Sequence, residues 1–99
     1  MRQFDVFPNP TARSRSFAPF VVVIQSHHLS LDTVLVAPLV NDKVASNIEV
    51  GVGVQGQSYV VAITEMGSVF TASLRGAVGD LLDHEDNIRR GIERLLSGF

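Results

Sequence analysis

The clearest pattern in this 99-residue chain is the alternating stretch Ile48-Glu49-Val50-Gly51-Val52-Gly53-Val54. Its apolar side chains occupy every second position, which is the period that places side chains on one face of a β-strand. Gly51 and Gly53 fall on the other face, so that face is bare and open to bending or to another backbone. The following Gln55-Gly56-Gln57 predicts a tight turn into a second strand over residues 58–64, and hence a hairpin.

Further short apolar segments predict that this hairpin belongs to an antiparallel sheet. Residues 3–7 alternate between polar and apolar side chains, and a polar, proline-containing loop separates them from a buried strand at 20–25. Residues 33–40 predict another strand, which should lie at a sheet edge or carry a bulge because Pro38 has no amide hydrogen. A further strand is expected at 68–74, after the break at Met66-Gly67.

The C-terminal part of the chain changes to a helical period. Asp83 predicts the N-cap, acidic residues follow it in the first turn, and Gly98 predicts the end of the helix. One apolar stripe recurs at helical spacing, with Leu96 beside it, and consists of Ile88, Ile92, Leu95 and Phe99. The sequence therefore predicts one small α+β domain over residues 1–99, a curled antiparallel sheet or partial barrel followed by a C-terminal α-helix.

Composition narrows the class of protein. Hydrophobic residues make up 45% and charged residues 18%, which is typical of an ordered globular chain. The net charge of −2 disfavours direct nucleic-acid binding, since such proteins carry a basic excess or a basic face. The absence of cysteine and of a signal-peptide layout predicts a cytoplasmic protein, and the apolar run 20–24 is too short to span a bilayer.

The residues point to no catalytic or metal site. His27 and His28 are adjacent, so on a strand they point to opposite faces, and His84 lies in another element. A triad of Ser26, His84 and Asp83 lacks the glycine-flanked serine of a nucleophile elbow. We therefore expect a non-enzymatic binding module without metal or cofactor. Two interpretations of the charged helix face stay open at this point, a solvated surface or a binding surface.

Short matches along nearly the whole chain resemble the CcdB family of toxins. They occur in the family's order and at near-equal spacing: Gln3-Phe4 with Val6, Gln25-Ser26, Val36-Ala37-Pro38-Leu39, Met66-Gly67-Ser68-Val69, Val78-Gly79-Asp80-Leu81, residues 85–88, and Gly98-Phe99. None of these matches is specific by itself, but their common order and spacing are hard to obtain by chance.

The resemblance implies an SH3-like β-barrel with a C-terminal helix, shared by CcdB and MazF toxins. It implies a homodimer that binds the GyrA subunit of DNA gyrase and traps its cleaved-DNA complex. A CcdA-like antitoxin neutralises the toxin, and the pair represses its own operon. By matching position, the resemblance implies that Glu85, Gly98 and Phe99 bind gyrase. It also implies contacts from residues that occupy the same helix face or tail without identity to the family: Asp86, Arg89, Arg90, Glu93 and Ser97.

One departure from the family concerns the anchor of that surface. The family's best-known member has tryptophan before the terminal glycine, where this chain has Ser97. Loss of an aromatic anchor at an interface hot spot costs about 2–4 kcal/mol.

Two alternatives follow from the resemblance: a MazF-like mRNA endoribonuclease on the same fold, and an antitoxin-binding protein that has lost its toxicity.

Overall fold

The computed structural model describes residues 1–25, 32–41 and 48–98. Within these residues the strands are β1 (Asp5–Pro8), β2 (Phe20–Val23), β3 (Thr33–Val40), β4 (Val50–Val54), β5 (Gln57–Val61), β6 (Gly67–Phe70) and β7 (Gly79–Asp80). Helix α1 spans Glu85–Ser97. Single 3₁₀ turns occupy Ala12–Ser14, Ile63–Glu65, Thr71–Ser73 and Leu82–His84. The predicted order of strands followed by one helix is confirmed.

The strands form one antiparallel sheet of seven strands, in the order β4-β5-β3-β2-β1-β7, with β6 paired to β3. The sheet curls into a half-barrel, so residues near its two opposite edges, Val54 on β4 and Asp80 on β7, line the same cleft of about 210 Å³. This architecture confirms the predicted curled sheet with a C-terminal helix.

The core lies between the concave side of the sheet and α1. Its fully buried side chains come from several strands, from the 3₁₀ turn after β5 and from the helix, and include Phe4, Val22, Leu39, Val61, Ile63 and Ile88. The neighbouring residues Val21 and Val23 pack into a second cluster with Val34, Val36 and Leu74. Because adjacent strand residues point to opposite faces, β2 is buried on both sides.

The β4–β5 hairpin forms as the sequence predicts. Gln55 and Gly56 both have positive φ, at 51° and 79°, which is the conformation of a type I′ turn. Val52 and Val54 are buried, whereas Gly51 and Gly53 are exposed, so the alternation assigns the faces correctly within β4. The strand begins at Val50, two residues later than the predicted segment, and Glu49 before it is buried. Strand β5 ends at Val61, earlier than the predicted Thr64, because the chain turns into a 3₁₀ helix.

Of the two alternatives predicted for residues 33–40, an edge strand or a bulge near the end of the strand, the edge strand was wrong. Strand β3 is central: β2 pairs with one side, and β6 and β5 pair in succession with the other. The registers place β6 opposite residues 33–36 and β5 opposite 39–40. The Pro38 carbonyl accepts from the Ala62 amide on that side, at 2.9 Å. The proline nitrogen therefore faces the junction between two partner strands, where the ladder needs no donor.

The loop between β1 and β2 is organised by one buried side chain, Asn9. Its Nδ2 donates to Ser14 Oγ at 2.9 Å and to the Ala18 carbonyl at 2.8 Å, and its Oδ1 accepts from the Thr11 amide at 2.9 Å. Its carbonyl accepts from Arg15 Nε at 2.6 Å. Asn9 is 4% exposed, so these bonds satisfy a polar group that could not otherwise be buried.

Candidate functional site

The candidate site is the solvent-exposed face of α1. This helix begins differently from the prediction. The chain enters the helix through the 3₁₀ turn Leu82–His84, and the N-cap residue is His84 without a side-chain cap. Asp83 is therefore not the N-cap. The nearest acidic side chain that bonds a backbone amide at this entry is Asp80, which precedes the 3₁₀ turn and whose Oδ1 accepts from the Leu82 amide at 3.0 Å. The acidic first turn, Glu85 and Asp86, is present as predicted.

The end of the helix is the one that Gly98 predicts. Gly98 is left-handed, with φ 87°, and its amide donates to the Arg94 carbonyl at 3.1 Å. The Ser97 hydroxyl donates to the same carbonyl at 3.3 Å. These contacts fix the direction of the backbone at residues 97–98, the part of the tail predicted to meet the partner. Phe99 lies outside the described residues.

Gly91 determines how closely the helix lies on the sheet. A Cβ atom there would collide with the Ile48 carbonyl oxygen and with Cδ1 of Ile63. Only glycine permits this approach, which buries Ile88 completely and packs Ile92 and Leu95 against the core. The predicted apolar stripe is confirmed for these three residues.

The predicted site residues that the structure describes share the opposite side of the helix. At roughly 100° per residue, the side chains of those that lie within the helix fall in an arc of about 140° that starts at Glu85 and ends at Arg90, and Gly98 follows the helix as its C-cap. Glu85 is half-buried and the others are exposed: Asp86, Arg89, Arg90, Glu93, Ser97 and Gly98. The arrangement therefore presents carboxylates and guanidinium groups side by side on one rigid surface.

Leu96 also belongs to this face, although it was predicted to lie beside the apolar stripe. It falls between Glu85 and Arg89 in the helical projection and is 79% exposed. The sequence did contain an indication that Leu96 is exposed. Leu96 directly follows Leu95, and a helix cannot bury two consecutive side chains equally. Leu96 gives the charged face an apolar component next to Ser97.

Arg89 is the most constrained cation of the face. Its Nε donates to Glu85 Oε2 at 3.0 Å. The i,i+4 spacing of charges predicts this pair and an equivalent one between Asp86 and Arg90, but of the two only Glu85–Arg89 forms. Its Nη2 donates to Gln3 Oε1 at 3.1 Å, and its guanidinium lies 5.5 Å from the centre of the Phe4 ring. No local sequence pattern places Gln3 at the site, because the contact joins residues that are 86 positions apart.

The residues considered for a metal or hydrolase site are mostly not described. His27, His28 and Ser26 lie outside the described residues. His84 is half-buried at the start of α1, and Asp83 beside it is exposed. No helix among the described residues has the length and apolar content needed to cross a bilayer.

Comparison with known proteins identifies the family. The family model described as "CcdB protein" matches residues 3–98, which include β1, the whole sheet and the helix face. The chain belongs to the CcdB family. Family membership supports the class of function that the sequence predicted, a toxin of a toxin–antitoxin pair with an antitoxin partner. A search of curated proteins found no significant match.

The CcdB-family fold is shared with a toxin of solved structure. The Mycobacterium tuberculosis toxin MazF-mt6 superimposes with a TM-score of 0.76, and the alignment covers 97% of each chain. The two sequences are 20% identical, so this likeness concerns the fold. The predicted relation to a barrel common to CcdB and MazF is thereby confirmed.

Proposed function

We propose that this CcdB-family protein is the toxin of a type II toxin–antitoxin module that binds GyrA and traps the cleaved-DNA complex of gyrase. The observation that carries the proposal is the family match over residues 3–98, which extends through the helix face. The function is non-enzymatic and needs no cofactor. It takes place in the cytoplasm, where gyrase acts on DNA.

The helix face supports this proposal by its shape and chemistry. It combines a charged surface with an exposed leucine, on a helix that Gly91 and Ile88 hold firmly to the sheet. A preorganised surface loses little conformational entropy on binding. Trapping requires only that the toxin bind the cleaved state of gyrase more tightly than the uncleaved state. No bond needs to be made or broken by the toxin.

The terminal segment sets the strength of this binding. Ser97 stands where the best-known family member has tryptophan, a difference worth about 2–4 kcal/mol at a hot spot. That range corresponds to a thirty- to thousandfold change in affinity, in order of magnitude. Leu96 is 79% exposed and supplies apolar area on the same helix face, about 100° around the helix from this position. We therefore propose Leu96, together with Gly98 and Phe99, as the apolar part of the gyrase contact.

The proposal includes a homodimer and a CcdA-like antitoxin that wraps the toxin and represses the operon with it. A dimer would present two helix faces to the two GyrA subunits of gyrase. The basic loop between β1 and β2, with Arg13 exposed and Arg15 bonded to Asn9, is a candidate determinant of antitoxin choice.

The decisive experiment measures binding of the purified protein to a GyrA fragment by calorimetry. The intact chain is compared with a variant truncated after Leu96 and with Ser97→Trp. We expect measurable binding by the intact chain, loss on truncation, and a thirty- to thousandfold gain, in order of magnitude, for Ser97→Trp. Circular dichroism of each variant controls for folding. A folded intact chain that does not bind GyrA would sink the proposal.

A MazF-like endoribonuclease is the second candidate, favoured by the structural likeness to a MazF toxin. The charge of the helix face argues against this function, because RNA binding needs a basic surface and the helix face mixes acidic with basic residues. Incubation of the purified protein with a defined RNA separates the two functions, since cleavage would assign the second. Expression without growth arrest would favour the non-toxic, antitoxin-binding alternative.

A further inference from the structure

The guanidinium of Arg89 is held by groups from two separate parts of the chain. Within the helix it pairs with Glu85, at 3.0 Å. Outside the helix it reaches the segment before β1, where it donates to Gln3 Oε1 at 3.1 Å and lies 5.5 Å from the Phe4 ring centre. These contacts use the planar fork of the guanidinium and its stacking ability together.

Gln3 extends this connection to the sheet. Its Nε2 donates to the Ile24 carbonyl at 2.9 Å, directly after β2. The Gln3 side-chain amide is therefore used at both ends, one end by Arg89 and the other by the backbone beyond β2. This chain of contacts joins the solvent face of the helix to two neighbouring strands.

Phe4 is the second partner of Arg89 and has an unusual backbone. Its φ is 70°, in the left-handed region that a bulky residue rarely adopts, and its side chain is 1% exposed. Its amide donates to the Val23 carbonyl at 2.7 Å, and its carbonyl accepts from the Leu81 amide at 2.8 Å. A strained conformation persists only when its surroundings hold it, and Arg89 covers its ring.

Arg90 provides the comparison within the same helix turn. It has the same charge and is also exposed, but among the described residues it makes no hydrogen bond or ion pair. Arg90 thus has all five of its N–H donors available to a partner, whereas two nitrogens of Arg89 already donate to Glu85 and Gln3. The two arginines therefore have different roles, although the resemblance assigns both to the gyrase contact.

We propose that Arg89 is a positioning residue that acts through Gln3 and Phe4, and that it holds the helix face in place against the N-terminal segment. The expected effect of Arg89 on binding rests on the proposed gyrase function, but its expected effect on the structure of the protein does not. Arg89 affects the partner by fixing where Glu85 and the rest of the face lie. Arg90 is the free cation of the pair.

The structural test is amide hydrogen exchange of the full chain by NMR. Arg89→Ala is expected to speed exchange of the Phe4 amide by roughly tenfold, because the segment opens more often. Arg90→Ala, which removes the same charge one residue away, should leave that rate unchanged. Equal exchange rates at Phe4 in the two variants would overturn the positioning role, whatever the protein binds.

The binding test is a double-mutant cycle on a GyrA fragment. Gln3→Ala removes the acceptor of Arg89 without changing any charge on the helix face. If Arg89 acts through Gln3, each single variant weakens binding by roughly tenfold and the double variant adds less than about twofold. Independent, multiplying losses would instead show that Arg89 contacts GyrA directly. Absence of wild-type binding would reject the gyrase function, while the exchange measurement still decides the positioning role.

Discussion

At the scale of single residues, polar contacts as well as apolar packing determine which surfaces are fixed. The side chain and the backbone carbonyl of Asn9 form hydrogen bonds with four residues of the loop before β2: Thr11, Ser14, Arg15 and Ala18. A loop organised in this way keeps its shape before any partner arrives. The sequence shows an asparagine between two prolines, but it does not show which groups the amide will reach.

Replacement of Asn9 by alanine should therefore destabilise the protein. The change leaves the buried Ala18 carbonyl without its partner, and an unsatisfied buried group costs about 1–3 kcal/mol. We expect a loss of at least this size in the free energy of unfolding, measured by urea denaturation. Asn87→Ala is the matched control, because that amide is exposed on the helix. Equal effects of the two changes would contradict the role of Asn9.

Leu96 should separate binding from stability. Leu96→Ala removes an exposed side chain, so the free energy of unfolding is expected to change by no more than about 0.5 kcal/mol. Binding to the GyrA fragment should weaken by roughly tenfold, since an apolar contact at the interface is lost. Phe70→Ala, which removes an exposed aromatic from β6, should leave that affinity unchanged. Undiminished affinity of the Leu96 variant would remove this residue from the proposed contact.

At the scale of elements, the junction between helix and sheet depends on the missing side chain of Gly91. In an exposed helix, glycine to alanine stabilises by about 1 kcal/mol. Here the new methyl group would enter the space of the Ile48 carbonyl and Ile63, so the helix must move outward. The effect of packing opposes the effect of helix propensity at this position.

We therefore expect Gly91→Ala to lower the free energy of unfolding by about 1–3 kcal/mol, the usual cost of overpacking. Asn87→Ala in the same helix should be neutral or slightly stabilising, because alanine is the better helix former. Thermal or urea unfolding of both variants gives the comparison. A stabilised Gly91 variant would show that the helix adjusts to the extra atom at no net cost.

Elements that local chemistry specifies were predictable from the sequence, and those that depend on distant partners were not. The alternation at 48–54, the turn at Gly56 and the cap at Gly98 each follow from neighbouring residues. Pro38 was assigned to an edge because a central strand normally needs the amide hydrogen that proline lacks. The sheet accommodates Pro38 where the partner of β3 changes from β6 to β5, and no local sequence pattern shows where that change occurs. Asp83 was assigned as the cap because the additional 3₁₀ turn Leu82–His84, which contains Asp83, was not foreseen.

The same distinction applies to the candidate site. Helical periodicity was sufficient to place Glu85, Arg89 and Glu93 on one face, and the structure brings them together there. It was not sufficient to distinguish Arg89 from Arg90, since the partner of Arg89 is the distant Gln3. Which of these residues contact a partner remains a prediction for the experiments above.

At the scale of the whole molecule, the helix and the sheet share one core. Ile88 of α1 is fully buried with Phe4, Leu39 and Val61 from three parts of the sheet region. Neither element can bury its apolar side without the other. This sharing predicts that residues 1–99 unfold as one cooperative domain.

Coincident unfolding transitions would verify this prediction. Tyr59, the chain's single tyrosine, lies in β5 with its ring centre 5.6 Å from that of Phe20, so its fluorescence reports on the sheet. Far-ultraviolet circular dichroism at helical wavelengths reports on α1. We expect both probes to give the same urea midpoint. A lower midpoint for the helical signal would show that α1 detaches before the sheet unfolds.

The central position of β3 has a consequence for genetics. This strand touches β2, β5 and β6, and its buried side chains leave few substitutions that the fold tolerates. In cells that survive production of an active toxin, escape mutations should therefore form two classes. Changes in β3 should abolish toxicity by reducing the amount of protein, whereas changes on the helix face should abolish it at normal abundance. A mutational scan that scores growth and abundance together would map the binding surface without any knowledge of the partner.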